Sequence, residues 1–179
     1  MTPSPLLTEL GKAHSRGKAN QILAMVEQDH QLLDVLMEAF FAHEEIKIIQ
    51  RAAMVVGDLG RKRPNWLVPY HARLLAYAEV PPHPAVTRNI MRYFGEFPGD
   101  FAEELEGRIL DLSLHLTADL QAPVASRVFS MSCAHKLCKK YPDISPELRA
   151  AIEGTFEHST AGFKSRGRKI LRSLDKLER

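Results

Sequence analysis

Apolar residues recur at steps of three and four along nearly the whole chain, and no stretch alternates with period two between hairpin-turn residues. This pattern predicts an all-α protein. Leu6, Leu7 and Leu10 make a short opening face before Gly11, and a second run from Arg16 to Gln28 carries Ile22, Leu23 and Val26 on one side. Leu32, Leu33, Val35, Leu36, Phe40 and Phe41 form two overlapping stripes, which imply burial on more than one side. Across His43 follow Ile46, Ile49, Ala53, Val56 and Leu59, so these two helices form an antiparallel hairpin. The next apolar set, Trp66, Leu67, Leu74 and Leu75, opens at Pro64 with Pro69 in or near the first turn. Val86, Ile90, Phe94 and Phe97 then lie between Pro84 and Pro98-Gly99, residues that start and stop a helix. Asp100, three residues before Glu103, predicts a capping box ahead of Leu105, Ile109, Leu110, Leu112, Leu114 and Leu116, with the partner helix starting at Pro123. Ser145 reads as a cap and Pro146 as the first helical residue before Leu148, Ile152 and Phe156. A last helix holds Phe163, Ile170, Leu171, Leu174 and Leu177.

A dipeptide gives this series its period. Ser15-Arg16, Gln50-Arg51, Thr87-Arg88, Ser126-Arg127 and Ser165-Arg166 each set a polar residue before an arginine near the start of every second helix, at intervals of 35, 37, 39 and 39 residues. Pro84 and Pro123 stand four residues before Arg88 and Arg127, which strengthens the alignment. A period in this range means stacked two-helix units. The expected organisation is a single domain over residues 1–179, in units 1–28, 29–62, 63–98, 99–142 and 143–179.

In the second unit, Ala52-Ala53-Met54-Val55-Val56-Gly57, followed by Leu59-Gly60, resembles the second-helix pattern of HEAT repeats: two alanines, two variable positions, an aliphatic residue and a glycine. Small residues there let neighbouring helices approach closely. The match is degenerate elsewhere, with Ile90, Met91 and Phe94-Gly95 in the third unit. The resemblance implies a right-handed α-α superhelix, a solenoid of about five HEAT-like hairpins. Tetratricopeptide repeats are the rival, but their fixed period of 34 and their tryptophan, leucine-glycine and tyrosine pattern are absent. Gly57-Asp58-Leu59-Gly60 reads as helix termination.

Composition narrows the picture. With 179 residues, 45% hydrophobic, the chain can bury a sizeable core, and no apolar run reaches the length of a membrane span. Met1-Thr2-Pro3-Ser4-Pro5 lacks the basic and apolar regions of a signal peptide, so a soluble, cytoplasmic protein is expected. Cys133 and Cys138 are five apart on one predicted helix, pointing roughly 140° apart, and read as buried reduced thiols. The eight histidines are scattered, and His43-Glu44-Glu45 lacks a second histidine four residues on. No phosphate loop, dinucleotide fingerprint or nucleophile elbow occurs, so no cofactor, metal or catalytic residue is assigned.

Charge points to binding. The net charge of +2 divides into −4 over residues 1–120 and +6 over residues 121–179. Arg16, Arg51, Arg88, Arg127 and Arg166 occupy equivalent positions, and none has an acid four residues before or after it. Stacking places them in a row, either as a structural ladder bonded to carbonyls or acids of neighbouring units, or as guanidinium groups on a concave face. Arg51, Arg88, Arg92, Arg127, Arg166, Arg168, Lys169 and Arg172 are the candidate surface, joined by Lys164, Lys176 and Arg179 in the last helix. Such a surface suits an acidic protein or peptide partner, and the acidic first two-thirds favours that partner over nucleic acid, the alternative. Alkylpurine DNA glycosylases also resemble stacked HEAT-like hairpins, but their acid has no counterpart here, and Trp66 and Tyr70 are isolated aromatics.

Overall fold

Each apolar stripe finds its partner in the next helix along the chain. The computed structural model describes residues 4–177 and, among these, contains helices and no strands. Ten α-helices follow in order: α1 Pro5–Lys12, α2 Arg16–Gln28, α3 Leu32–Ala42, α4 Ile46–Lys62, α5 His71–Glu79, α6 Pro84–Glu96, α7 Glu103–Ala118, α8 Val124–Lys140, α9 Ser145–Phe156 and α10 Ala161–Leu177. Each odd helix packs on the even helix after it. The even helices also stack on one another from α2 to α10, and α1 on α3 and α5 on α7 on α9, so the hairpins form two layers of a HEAT-type helical solenoid. Between α3 and α5 the odd layer is joined by rings, with Tyr77 5.2 Å from Phe40 and 5.3 Å from Phe41.

The core is continuous along the stack but changes hands at α8. Cys133 and Leu137 belong to the cluster that runs back to Leu6, while Met131, Ala134 and Cys138 pack with Leu148, Ile152, Phe163, Ile170 and Leu174. Both cysteines are free and buried, and burial pushes the Cys133 thiol up to about 11, where it stays protonated. Glu106 of α7 is buried and accepts from Lys140 Nζ at 2.7 Å and Tyr141 Oη at 2.5 Å, tying α7 to the end of α8. Burial alone would raise its carboxyl, but the two hydrogen bonds together with the charges of Lys140 and Lys136 hold it below the usual range.

Several local expectations give way. Asp100 does not cap α7: Phe101 is buried among rings, and the helix starts beyond it with Ala102 at the cap position and no side-chain cap bond. Ser145 is not a cap either, because a 3-10 turn over Pro142–Ile144 runs directly into α9 and leaves Ser145 already helical and buried. Pro69 lies in a longer 3-10 turn, Pro64–Tyr70, and α-helical geometry begins only at His71. Gly57 and Gly60 end nothing: both lie inside α4, where α6 approaches too closely for a side chain. A Cβ at Gly57 would sit 2.6 Å from Asn89 Oδ1, and one at Gly60 2.9 Å from Tyr93 Cγ. Tyr93 cannot swing aside, since its Oη donates to the Pro64 carbonyl at 2.9 Å. Gly60→Ala therefore destabilises by about 1–2 kcal/mol, overpacking outweighing the helix propensity gained. Chemical denaturation followed by circular dichroism reads this, and an unchanged or raised midpoint would show that the helices are free to separate.

Candidate binding surface

The repeat arginines start from similar places on the even helices, and their environments then diverge. Arg16 opens α2 behind Ser15, whose Oγ accepts from the Lys18 amide at 3.1 Å, and its guanidinium bonds Asp58 of α4. Half-buried Arg51 reaches back to α1 and donates to the Leu10 carbonyl at 2.7 Å, satisfying one of the free acceptors of that helix end. Arg88, also half-buried, makes no hydrogen bond or ion pair with any described residue.

Arg127 is taken up inside the fold. Only 3% of it is exposed. Its Nε and Nη2 donate to the Thr117 carbonyl at the end of α7, at 3.2 and 3.0 Å. Nη2 also donates to Thr155 Oγ1 at 2.9 Å, Nη1 donates to Ser159 Oγ at 3.0 Å, and the guanidinium lies 4.1 Å from the centre of the Phe163 ring. One side chain thus joins α7, α8, α9 and α10. Burial lowers the guanidinium pKa, partly offset by Asp119. Four of its five N–H donors are used inside the fold and almost none of the side chain reaches solvent, so Arg127 serves the structural ladder rather than an open surface.

Across the even layer, several of the other cations are met by acids of neighbouring helices or of their own. Asp58 takes Arg16 and lies 3.8 Å from Arg61; Arg61 Nε is 3.2 Å from Glu96, and Glu96 accepts from Arg92 Nε at 3.1 Å. Arg92 also stands 5.4 Å from the Phe129 ring of α8. Glu27 of α2 bonds Lys62 and accepts from Arg63 Nε at 3.1 Å, and these cations hold its carboxyl below the usual range, chiefly through Lys62. Asp58 and Glu96 are the residues that sequence reasoning missed. They stand seven and eight residues after the repeat arginines of their own helices, a spacing with no meaning until the helices are laid side by side. A groove of about 570 Å3 between α2 and α4 is bordered by Arg16, Glu27, Asp58, Arg61 and Lys62, its cations and acids already paired.

The end of the stack differs. On α10, Arg166 Nη1 donates to Ser132 Oγ at 3.2 Å, Arg172 Nε donates to the carbonyl of Arg168 at 3.2 Å, and Arg168 lies 5.5 Å from the Phe156 ring. Lys169 and Lys176 are exposed and have no partner among the described residues, whereas Lys164 pairs with Glu157 and Asp175 with Arg149. Five cations on one helix therefore lack a carboxylate among the described residues. Arg179 lies outside the described residues.

Among the described residues no group of three or more His, Cys, Asp or Glu is arranged to hold a metal ion, and no helix is long and apolar enough to cross a membrane. A family model described as a HEAT repeat domain matches residues 6–174. The chain belongs to the HEAT repeat family. For this HEAT repeat protein, family membership agrees with the stacked hairpins and suggests a protein-interaction or scaffold module. No curated protein and no solved structure matches the chain.

Proposed function

We propose that this HEAT repeat protein is a non-catalytic interaction module that holds an acidic segment of a protein partner against the exposed face of α10, through Arg166, Arg168, Lys169, Arg172 and Lys176. The observation that carries the reading is the contrast in charge pairing: Arg16, Lys18, Arg61 and Lys62 on α2 and α4 have acids from neighbouring helices, and Arg166, Arg168, Lys169, Arg172 and Lys176 on α10 have none among the described residues. Residues 168, 172 and 176 share one side of the helix, about 6 Å apart per turn, which suits carboxylates along an extended or helical segment. A duplex fits less well. The 17-residue α10 is roughly 25 Å long, and the −4 carried by residues 1–120 opposes a phosphate backbone beyond that stretch.

Fluorescence anisotropy with labelled poly-glutamate and with a generic DNA duplex tests this. Poly-glutamate binds at low salt, weakens as salt rises, and loses affinity about tenfold or more in the double variant Arg168→Glu, Arg172→Glu, whose thermal midpoint is unchanged. Tighter binding of the duplex with a steeper salt slope would transfer the face to nucleic acid, and no binding of either probe at low salt would remove it as a charged binding surface.

A further inference from the structure

On the odd layer, a groove of about 350 Å3 runs between α1 and α3 and up to the turn before α4. Leu7, Val35, Ala39 and Ala42 give it apolar walls, and Glu38, Glu44 and Glu45 stand around it. Glu45 is paired with Lys47 at 2.6 Å, but Glu38 and Glu44 are exposed and make no ion pair or hydrogen bond with any described residue. Glu38 stands on α3, and the turn carrying Glu44 is held in shape by His43, whose Nδ1 accepts the Glu45 amide at 3.0 Å. Next to it Ile46 is 53% exposed, an apolar shoulder beside an uncompensated negative rim.

The complementary surface is on the same chain, out of its own reach. α10 packs on α8 and α9, and the α5–α6 and α7–α8 hairpins lie between it and the α1–α3 groove. The charge of the chain is divided in the same sense, −4 over residues 1–120 and +6 over residues 121–179, which favours head-to-tail approach of two molecules. We propose that the acidic partner of α10 is a second copy of this chain, whose α1–α3 groove receives the helix with Arg168, Lys169 and Arg172 against Glu38 and Glu44. This rests on the reading of α10 as the binding face. The two patches differ, so the contact is isologous only if each copy uses both patches on the other, and heterologous otherwise. Made reciprocally it closes a two-fold dimer, and made in one direction only it continues from copy to copy. Exposed ion pairs are individually weak and screened by salt, so the association is reversible and strongest at low ionic strength.

Sedimentation of the full chain, with charge reversal on each side, tests it. The wild type shows an average mass above its 20.2 kDa at low salt and returns to that mass at high salt. Arg168→Glu with Arg172→Glu, and separately Glu38→Lys with Glu44→Lys, each weaken association about tenfold or more while keeping the wild-type thermal midpoint. An equimolar mixture of the two reversed proteins associates again, because the reversed α10 meets the reversed groove and each remaining wild-type patch meets its complement in the other protein. A monomeric wild type at low salt, or a groove variant that associates as the wild type does, overturns the proposal. If either occurs while poly-glutamate still binds α10, the face is a binding surface for a different protein. If poly-glutamate also fails to bind, the reading of α10 falls with it.

Discussion

Arg127→Ala lowers the stability of the protein by about 3 kcal/mol, or roughly 10 °C in thermal midpoint for a chain of this length, whereas Arg88→Met changes it by no more than about 0.5 kcal/mol. The two arginines are equivalent in the repeat and opposite in consequence. Truncating Arg127 strands the buried carbonyl of Thr117, removes the donors to Thr155 and Ser159, and empties the space beside Phe163 where the stem and guanidinium lie. A stranded buried acceptor costs about 1–3 kcal/mol, and the lost packing and ring contact add to it. Relief from holding a desolvated charge works the other way, which keeps the net loss below the sum of these losses. Arg127→Lys separates charge from geometry. An ammonium keeps the charge but cannot span Thr117, Thr155 and Ser159 as a planar fork does, so it recovers only part of the stability. Thermal and urea unfolding of the three variants read the outcome, and equal midpoints for Arg127→Ala and Arg88→Met would sink the assignment.

How much of this could be read in the sequence follows from the range of each interaction. The period of the arginine dipeptide and the three-and-four spacing of apolar residues are local, and from them the paired helices and the stacked layers follow; α2 begins and ends where the pattern places it, at Arg16 and Gln28. The fates of the arginines are not local. The hydroxyl partners of Arg127 come 28 and 32 residues later, and Arg16 and Arg61 bond acids 42 and 35 residues away, distances set by the stacking of one repeat on the next. An inspection limited to acids within one turn sees no compensation, whereas the neighbouring helix supplies it. The same holds for Gly57 and Gly60. In sequence they look like a helix stop, and only the approach of Asn89 and Tyr93 from α6 shows that they are there for lack of a side chain. Ser15, Thr87 and Ser126 illustrate the limit of the repeat itself. Ser15 caps α2, Thr87 donates to the Ala78 carbonyl at 3.2 Å, and Ser126 is buried inside α8, so one recurring position supports three local structures.

Acid weakens the fold through His71 before the carboxylates are protonated. The imidazole is 5% exposed, its ring centre 4.9 Å from that of Phe97 and 5.2 Å from that of Phe101, and its Nε2 is 2.7 Å from Tyr93 Oη. Because Tyr93 Oη spends its proton on the Pro64 carbonyl, Nε2 is the donor to Tyr93, which in the neutral ring leaves Nδ1 bare. Lys136 stands close by, its Nζ 4.5 Å from the Phe101 ring centre and bonded to the carbonyls of Phe97 and Gly99 at 2.6 and 2.7 Å. Burial, and secondarily the charge of Lys136, push the His71 pKa from 6.5 down to about 4. Between those values the unfolded chain takes up a proton that the folded one refuses, so this contribution is complete above pH 6.5 and is lost as pH falls through about 4. The loss amounts to about 3 kcal/mol. Half-buried His135, also lowered by burial, adds in the same direction, so the test is a difference between two proteins. Urea midpoints of the wild type and of His71→Phe, measured from neutral pH down to about pH 4, diverge in slope. The substitution keeps an aromatic ring in the cluster and leaves Tyr93 its bond to Pro64, so the variant curve is the flatter one. Parallel curves would mean that His71 is protonated inside the fold and that Lys136, not the imidazole, gives way to accommodate the charge.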